Sequence, residues 1–164
     1  MKTAGIYDPY LDTLGGGERY TLTVASCLNK IGYQVDVFWD DASIKPKIEE
    51  RLGIKLEQIN FIPNIFNKEG KADKKVLKEY DLIFFLSDGS IPYLTGKKNI
   101  LHFQVPFHGV GGRSFLNRIK LRKIKAIVCN SNFTKKFIDK EYGVNSVVLY
   151  PPVDVGAFKS LKKE

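Results

Sequence analysis

The sequence predicts a three-layer α/β/α domain built on a mostly parallel sheet of about seven strands. Two observations carry this. Short apolar runs alternate with stretches of helical periodicity from Ala4 to Tyr150. Two of those runs, 82–86 and 126–129, are apolar throughout, as strands buried on both faces are. With 164 residues, one domain with a substantial core is the expected size.

The elements follow in order. Ala4-Gly5-Ile6-Tyr7 opens the chain as a strand. A polar loop from Asp8 leads to Gly15-Gly16-Gly17. Leu22, Val24, Ala25, Leu28 and Ile31 then recur at helical spacing until Gly32 ends the helix. Residues 33–39 form the second strand, and Asp40, Asp41 and Ser43 turn the chain into a short helix over 44–52, with Pro46 near its start and Gly53 at its end. Residues 59–62 are the third strand, 63–71 a loop and 72–79 a helix. Residues 80–87 and 98–104 are the next two strands. Pro106 and the glycines 109, 111 and 112 mark a loop, 114–121 a helix and 125–130 a strand. Ser131 or Asn132 caps a helix over 133–142 that Gly143 ends. The last strand, 147–150, is halted by Pro151-Pro152.

The composition, 43% hydrophobic and 27% charged, is that of a soluble globular protein. A net charge of +8 points to an anionic partner, whether phosphate groups, a lipid surface or nucleic acid. Nucleic acid is disfavoured, because no aromatic-basic platform accompanies the charge. Cys27 and Cys129 are far apart in apolar patterns, so they read as buried free thiols in a reducing compartment rather than zinc ligands. No signal-peptide pattern and no run long enough to span a bilayer is present. The expected location is cytoplasmic, soluble or peripheral at the cytoplasmic membrane face.

Parallel sheets bind ligands beyond the carboxyl ends of their strands. Three loops there are more than connectors: 8–19, 87–96 and 104–113. Gly15, Gly16 and Gly17 allow close approach to the main chain at a helix start, where unpaired N–H groups favour an anion. A dinucleotide fingerprint would need glycine at position 20, which is Tyr20, and no phosphate-binding GxxxxGK[ST] occurs. Glu18 can cap the helix or touch a ligand. Arg19 can reach a phosphate or stay solvated. Asp88 can bind the hydroxyls of a ligand or hold the turn Ser87-Asp88-Gly89-Ser90. His102 and Gln104 lie on one face of their strand, and His108 lies in the loop beyond. Asp40-Asp41 is adjacent rather than spaced as DxD, so no metal is expected. The run 113–125 mixes cations, including Arg118, Lys120, Arg122 and Lys123, with apolar residues and contains no acid. It reads either as a sheet-packing helix with a solvated basic face or as an interfacial helix facing anionic lipid.

Three motifs resemble those of family 4 glycosyltransferases. Asp8-Pro9-Tyr10 with Gly15-Gly16-Gly17-Glu18-Arg19 resembles the family's GGxER loop. Asn130-Ser131-Asn132-Phe133-Thr134 resembles its strand–Ser-x-Phe-Thr–helix stretch, and Tyr150-Pro151-Pro152-Val153-Asp154 its YPPVD end. The nearest flavour is the mannosyltransferases of lipid-linked oligosaccharide assembly. The resemblance implies half of a GT-B fold: a Rossmann-like N-terminal, acceptor-side domain over 1–152, an interdomain linker or frayed tail from 153 to 164, and an absent C-terminal donor-binding domain. It also implies a retaining enzyme using a GDP- or UDP-sugar as substrate, no further cofactor, and a glycan or lipid-linked acceptor. Gly15–Gly17 would lie against the donor diphosphate and the acceptor, with Ser131 a further acceptor contact. Many family members carry a His before an aromatic-Pro pair at the end of the 98–104 strand. Alignment on Pro106 puts Gln104 there, alignment on His-aromatic puts His102 there, and His108 is a third candidate.

Overall fold

The computed structural model of the chain describes residues 1–66 and 72–153. Seven strands form one sheet in which every pairing is parallel: β1 (Lys2–Tyr7), β2 (Tyr33–Phe38), β3 (Ile59–Ile62), β4 (Leu82–Leu86), β5 (Lys98–Phe103), β6 (Ala126–Cys129) and β7 (Val147–Val148). Their spatial order is β3-β2-β1-β4-β5-β6-β7. The helices are α1 (Gly16–Lys30), α2 (Lys45–Leu52), α3 (Lys74–Lys78), α4 (Phe115–Leu121) and α5 (Asn132–Tyr142). The chain moves one way from β1 to β3 and the other way from β4 to β7. Right-handed crossovers therefore place the helices on opposite faces. The fold is the expected Rossmann-like α/β/α sandwich, and its order reverses between β1 and β4. That reversal opens a crevice at the carboxyl edge of the sheet.

Alternation along the strands divides the core in two. Ala4, Ile6, Val35, Val37 and Phe84 pack under α1 and α2 with Leu22, Ala25 and Ile48. Ile83, Phe85, Leu101, Phe103 and Cys129 pack on the other face with Leu77, Ile138 and Tyr142. All five residues of β4 are buried, as its central place demands. At Gly5 a β-carbon would lie 2.5 Å from the Phe38 ring, so glycine there is a packing requirement between β1 and β2.

Several boundaries differ from the sequence reading for local reasons. α1 begins at Gly16, so two of the three glycines form its first turn rather than a preceding loop. β7 is only two residues long because Leu149 leaves the ladder after one further bond to Cys129. Two 3₁₀ turns form, Leu11–Thr13 within the expected polar loop and Ala42–Ile44, which takes in the residue expected to start the second helix. Ser131, not Asn132, caps α5, accepting a hydrogen bond from the Thr134 N–H at 3.1 Å. Cys27 corrects the expectation of two buried thiols. It is exposed on α1, whereas Cys129 is buried, because α1 turns positions 20, 22 and 25 inward and 27 outward. The expected loop residues 67–71 and the linker from 154 onward lie outside the described residues. Among the described residues, no helix is long and apolar enough to cross a membrane.

Candidate functional site

The site is built where β1, β5 and β6 end. Asp8 closes β1, and its Oδ1 accepts the Tyr10 N–H at 3.0 Å, turning the chain into the 3₁₀ turn. Leu14 then takes a left-handed conformation, φ 51°, which costs a leucine about 1 kcal/mol. The constrained loop delivers Gly15 as the N-cap of α1. Glu18 reaches back, its Oε2 accepting the Gly15 N–H at 2.6 Å. This is the carboxylate half of a capping box, and it assigns Glu18 the capping role. Gly16 is exposed and nothing lies within 4 Å of where its β-carbon would be, so its main chain is open to an incoming group.

Gly17 is different. Gln104, just beyond β5, donates from Nε2 to the Gly17 carbonyl at 3.0 Å. The Gln104 carbonyl in turn accepts from Asn130 Nδ2 at 2.7 Å. Asn130 Oδ1 accepts from Thr134 Oγ1 at 2.9 Å, and Thr134 Oγ1 is also the partner of Ser131 Oγ at 3.0 Å. One polar chain thus joins the glycine loop, the end of β5 and the β6–α5 turn. The segment after β7 is fastened to the same place. The Tyr20 hydroxyl donates to the Leu149 carbonyl at 2.9 Å, and Asn132 Nδ2 donates to the Tyr150 hydroxyl at 2.9 Å. All three sequence motifs therefore meet at one corner of the sheet, although 129 residues separate Tyr20 from Leu149.

Of the three candidates at the β5 end, only Gln104 touches the glycine loop. His102 is 0% exposed. It stacks beneath the Tyr20 ring at 4.4 Å and beside Phe84 at 5.3 Å. Its Nδ1 lies 3.1 Å from the Val128 carbonyl. A carbonyl can only accept, so the proton is on Nδ1 and Nε2 carries a bare lone pair. That Nε2 is buried without a partner. Burial holds the imidazole neutral, lowering its pKa to about 4 against the weaker opposing pull of the Val128 carbonyl. His108 lies across the 104–113 loop, with its ring 6.4 Å from Phe137. It lines a hollow of about 600 Å³ with Arg113, Lys140 and Glu141. Glu141 pins that loop by accepting the N–H groups of Gly109, Val110 and Gly112 at 2.9–3.1 Å. Those same three bonds hold its carboxyl below the usual range.

Asp88 holds its turn, accepting the Ser90 N–H at 3.0 Å and the Ser90 hydroxyl at 2.7 Å. Arg19 is partly exposed beside the glycine loop. Arg118 on α4 and Arg122 and Lys123 just past its end are exposed, while Lys120 donates from Nζ to the Ile91 carbonyl at 2.7 Å. Leu121, and Ile124 just beyond the helix, pack on the core. No residue of α4 itself is buried, and Phe115 and Leu116 are 76% and 68% exposed.

Two residues at this corner stood in the sequence only as motif positions, with no role of their own. Asn130 reads as the end of a strand, and its bridging role depends on the β5–β6 register. Asp8 is 1% exposed, and its Oδ2 has no partner. Burial raises its pKa to about 6, despite the lowering bond from Tyr10. The one available signal was a carboxylate placed directly at the end of an apolar strand. The hollow between the second half of α1 and the turn before β3, about 490 Å³, lies away from the glycines and is lined by Thr23, Asn29 and Gln58. Its link to the motif corner is the Thr23 hydroxyl, which donates to the Arg19 carbonyl at 2.7 Å.

Residues 14–156 match the sequence model of a family described as Glycosyltransferase Family 4. No curated protein matched the chain.

Proposed function

Because the chain belongs to glycosyltransferase family 4, we propose that it is the N-terminal, acceptor-side domain of a retaining glycosyltransferase that uses a nucleotide sugar. The transferred unit is a hexose, mannose on the nearest resemblance, and the acceptor is a glycan or lipid-linked sugar. The observation that carries this reading is the meeting of Gly15–Gly17, Gln104, Asn130–Thr134 and Tyr150 at the carboxyl edge of the sheet.

In this reading the exposed main chain at Gly16 faces the donor diphosphate, where helix N–H groups stabilise negative charge. Gln104 takes the position held by a His in many family members, in keeping with alignment on Pro106. Its amide cannot shuttle a proton at neutral pH, so its part is to hold the loop and orient hydroxyl groups. His102 supports the wall from within, as a neutral ring beneath Tyr20. The retaining outcome comes from the family resemblance.

One observation favours a second reading, a non-catalytic binding module in a two-chain enzyme: His102 has no exposed surface. A transfer assay separates the two. The chain alone is expected to release no sugar from GDP- or UDP-hexoses, and to support transfer when joined to a nucleotide-sugar-binding domain. Turnover by the chain alone contradicts the half-site reading. Failure of the joined protein, with folding verified, favours the non-catalytic module.

A further inference from the structure

The geometry points to a saccharide-binding subsite lined by Trp39, Asp12, Asp41 and Lys47, on the opposite side of β1 from Gln104. Sheet order puts β2 and β5 on opposite sides of β1, so this place is separate from the motif corner. Trp39 follows β2 directly, and its N–H donates to the Ile62 carbonyl at 2.9 Å. Its side chain is partly buried, packed on the core beneath α1 and α2. Asp12 lies in the 3₁₀ turn that the fully buried Leu11 anchors. Asp41 opens the second 3₁₀ turn, its Oδ1 accepting the Ser43 N–H at 2.9 Å. With Leu14 and Ile44, these side chains line a hollow of about 250 Å³. A second hollow of about 550 Å³ shares Leu14 and Lys47 and runs on along α2 to Glu50 and Arg51.

The lining has the chemistry that a sugar ring needs. A pyranose presents C–H groups on its faces and hydroxyls around its edge. The electron-rich face of an indole suits the first. Carboxylates that accept and an ammonium that donates suit the second. The Ser43 hydroxyl and N–H hold the Asp41 carboxyl below the usual range, so it remains an acceptor. Among the described residues the ion pairs are Lys97–Asp81 and Lys135–Asp139, so Asp12 and Lys47 do not neutralise each other. Two carboxylates oppose a phosphate group. Among the described residues no third acid, His or Cys joins them to hold a cation. A neutral sugar fits this set, and the adjoining hollows give room for more than one unit. Assigning the subsite to the non-reacting units of the acceptor rests on the transfer reading; the binding of saccharide does not.

Trp39 is the chain's one tryptophan, so intrinsic fluorescence reports on this hollow. The test titrates the chain with mannotriose, maltotriose, cellotriose and chitotriose. A saturable change in emission is expected with at least one of them, at a dissociation constant of millimolar order. Asp12→Ala and Lys47→Ala should each weaken that binding about fivefold to tenfold. Both residues are exposed, so folding should be retained. A control in the hollow before β3, Lys55→Ala/Glu57→Ala, should bind like the parent. No change in emission with any of the four up to about 50 mM, or a change that survives intact in both Asp12→Ala and Lys47→Ala, would overturn the inference. The two readings fail separately. Saccharide binding at Trp39 with no response of the Gly15–Gly17 amides to GDP- or UDP-hexoses would keep the subsite and count against transfer. The reverse pair of results would strike the subsite alone.

Discussion

The side chain of Gln104 occupies the space that a β-carbon on residue 17 would need. The position of that atom lies 2.2 Å from Gln104 Oε1, while Gln104 Nε2 donates to the Gly17 carbonyl at 3.0 Å. Glycine at 17 is therefore a condition for the contact between α1 and the end of β5. In Gly17→Ala the movable end of Gln104 gives way rather than the backbone. Stability should change by no more than about 1 kcal/mol, since alanine favours the helix while one hydrogen bond is lost. Gln104→Ser should remove the clash. In a double-mutant cycle by denaturant unfolding, the two substitutions should be clearly non-additive. Additive effects would mean that the side chain does not sit against Gly17 in solution.

Asp8 and His102 should tilt stability in opposite directions with pH. The Asp8 carboxyl titrates near 6 in the fold and near 3.9 in the unfolded chain. The folded state thus holds more protons between those values, so this group costs stability as pH rises through the window. Asp8→Asn should stabilise the protein by about 2 kcal/mol more at pH 7.5 than at pH 4.5. Urea unfolding at the two pH values measures this. An equal effect at both would show that Asp8 is not desolvated.

His102 supplies the opposite slope. Its folded pKa of about 4 lies below the unfolded value, so the stability of the neutral ring is complete above about pH 6.5 and is lost as pH falls towards 4. The loss between pH 7.5 and 4.5 should be about 2.5 kcal/mol. Because Asp8 gains a similar amount over the same range, the parent protein should show little net slope from this pair. His102→Phe should reveal rising stability towards acid, and Asp8→Asn falling stability. Imidazole NMR should show a neutral His102 with its proton on Nδ1 at pH 5.5.

Glu18 supports the loop through one short bond to the Gly15 N–H, 2.6 Å, and is itself buried. Glu18→Ala should cost about 1–2 kcal/mol through loss of the cap and exposure of a buried donor. Glu18→Gln keeps an acceptor and should cost clearly less. A thermal melt of the two variants makes the comparison, and equal costs would argue against the capping role.

The fold was legible because its signals are local. Gly32, Gly53 and Gly143 end helices at positive φ, and β4 is apolar at every position because it is central. The candidate site was legible only in pieces. Glycines at a helix start, a Ser131 cap and a proline-terminated strand each announced themselves. Their meeting depends on strand order, which no single stretch encodes. The sequence alternation correctly put His102 and Gln104 on one face, but Tyr20 lies over the first and not the second. The direction of the apolar stripe on α4 stayed open between two readings for the same kind of reason. Periodicity shows that a helix has an apolar side, but only its packing shows which way that side turns.

The central claim is that the glycine corner is one wall of a sugar-transfer site. It is tested most directly by backbone amide NMR of the chain titrated with GDP- and UDP-hexoses and with soluble saccharide acceptors. Saturable shifts are predicted for the amides of Gly15, Gly16 and Gly17 and for the side-chain amide of Gln104, weakened in Gly17→Ala. Shifts absent from this corner up to the solubility limit of every ligand, or confined to other surfaces, would contradict it.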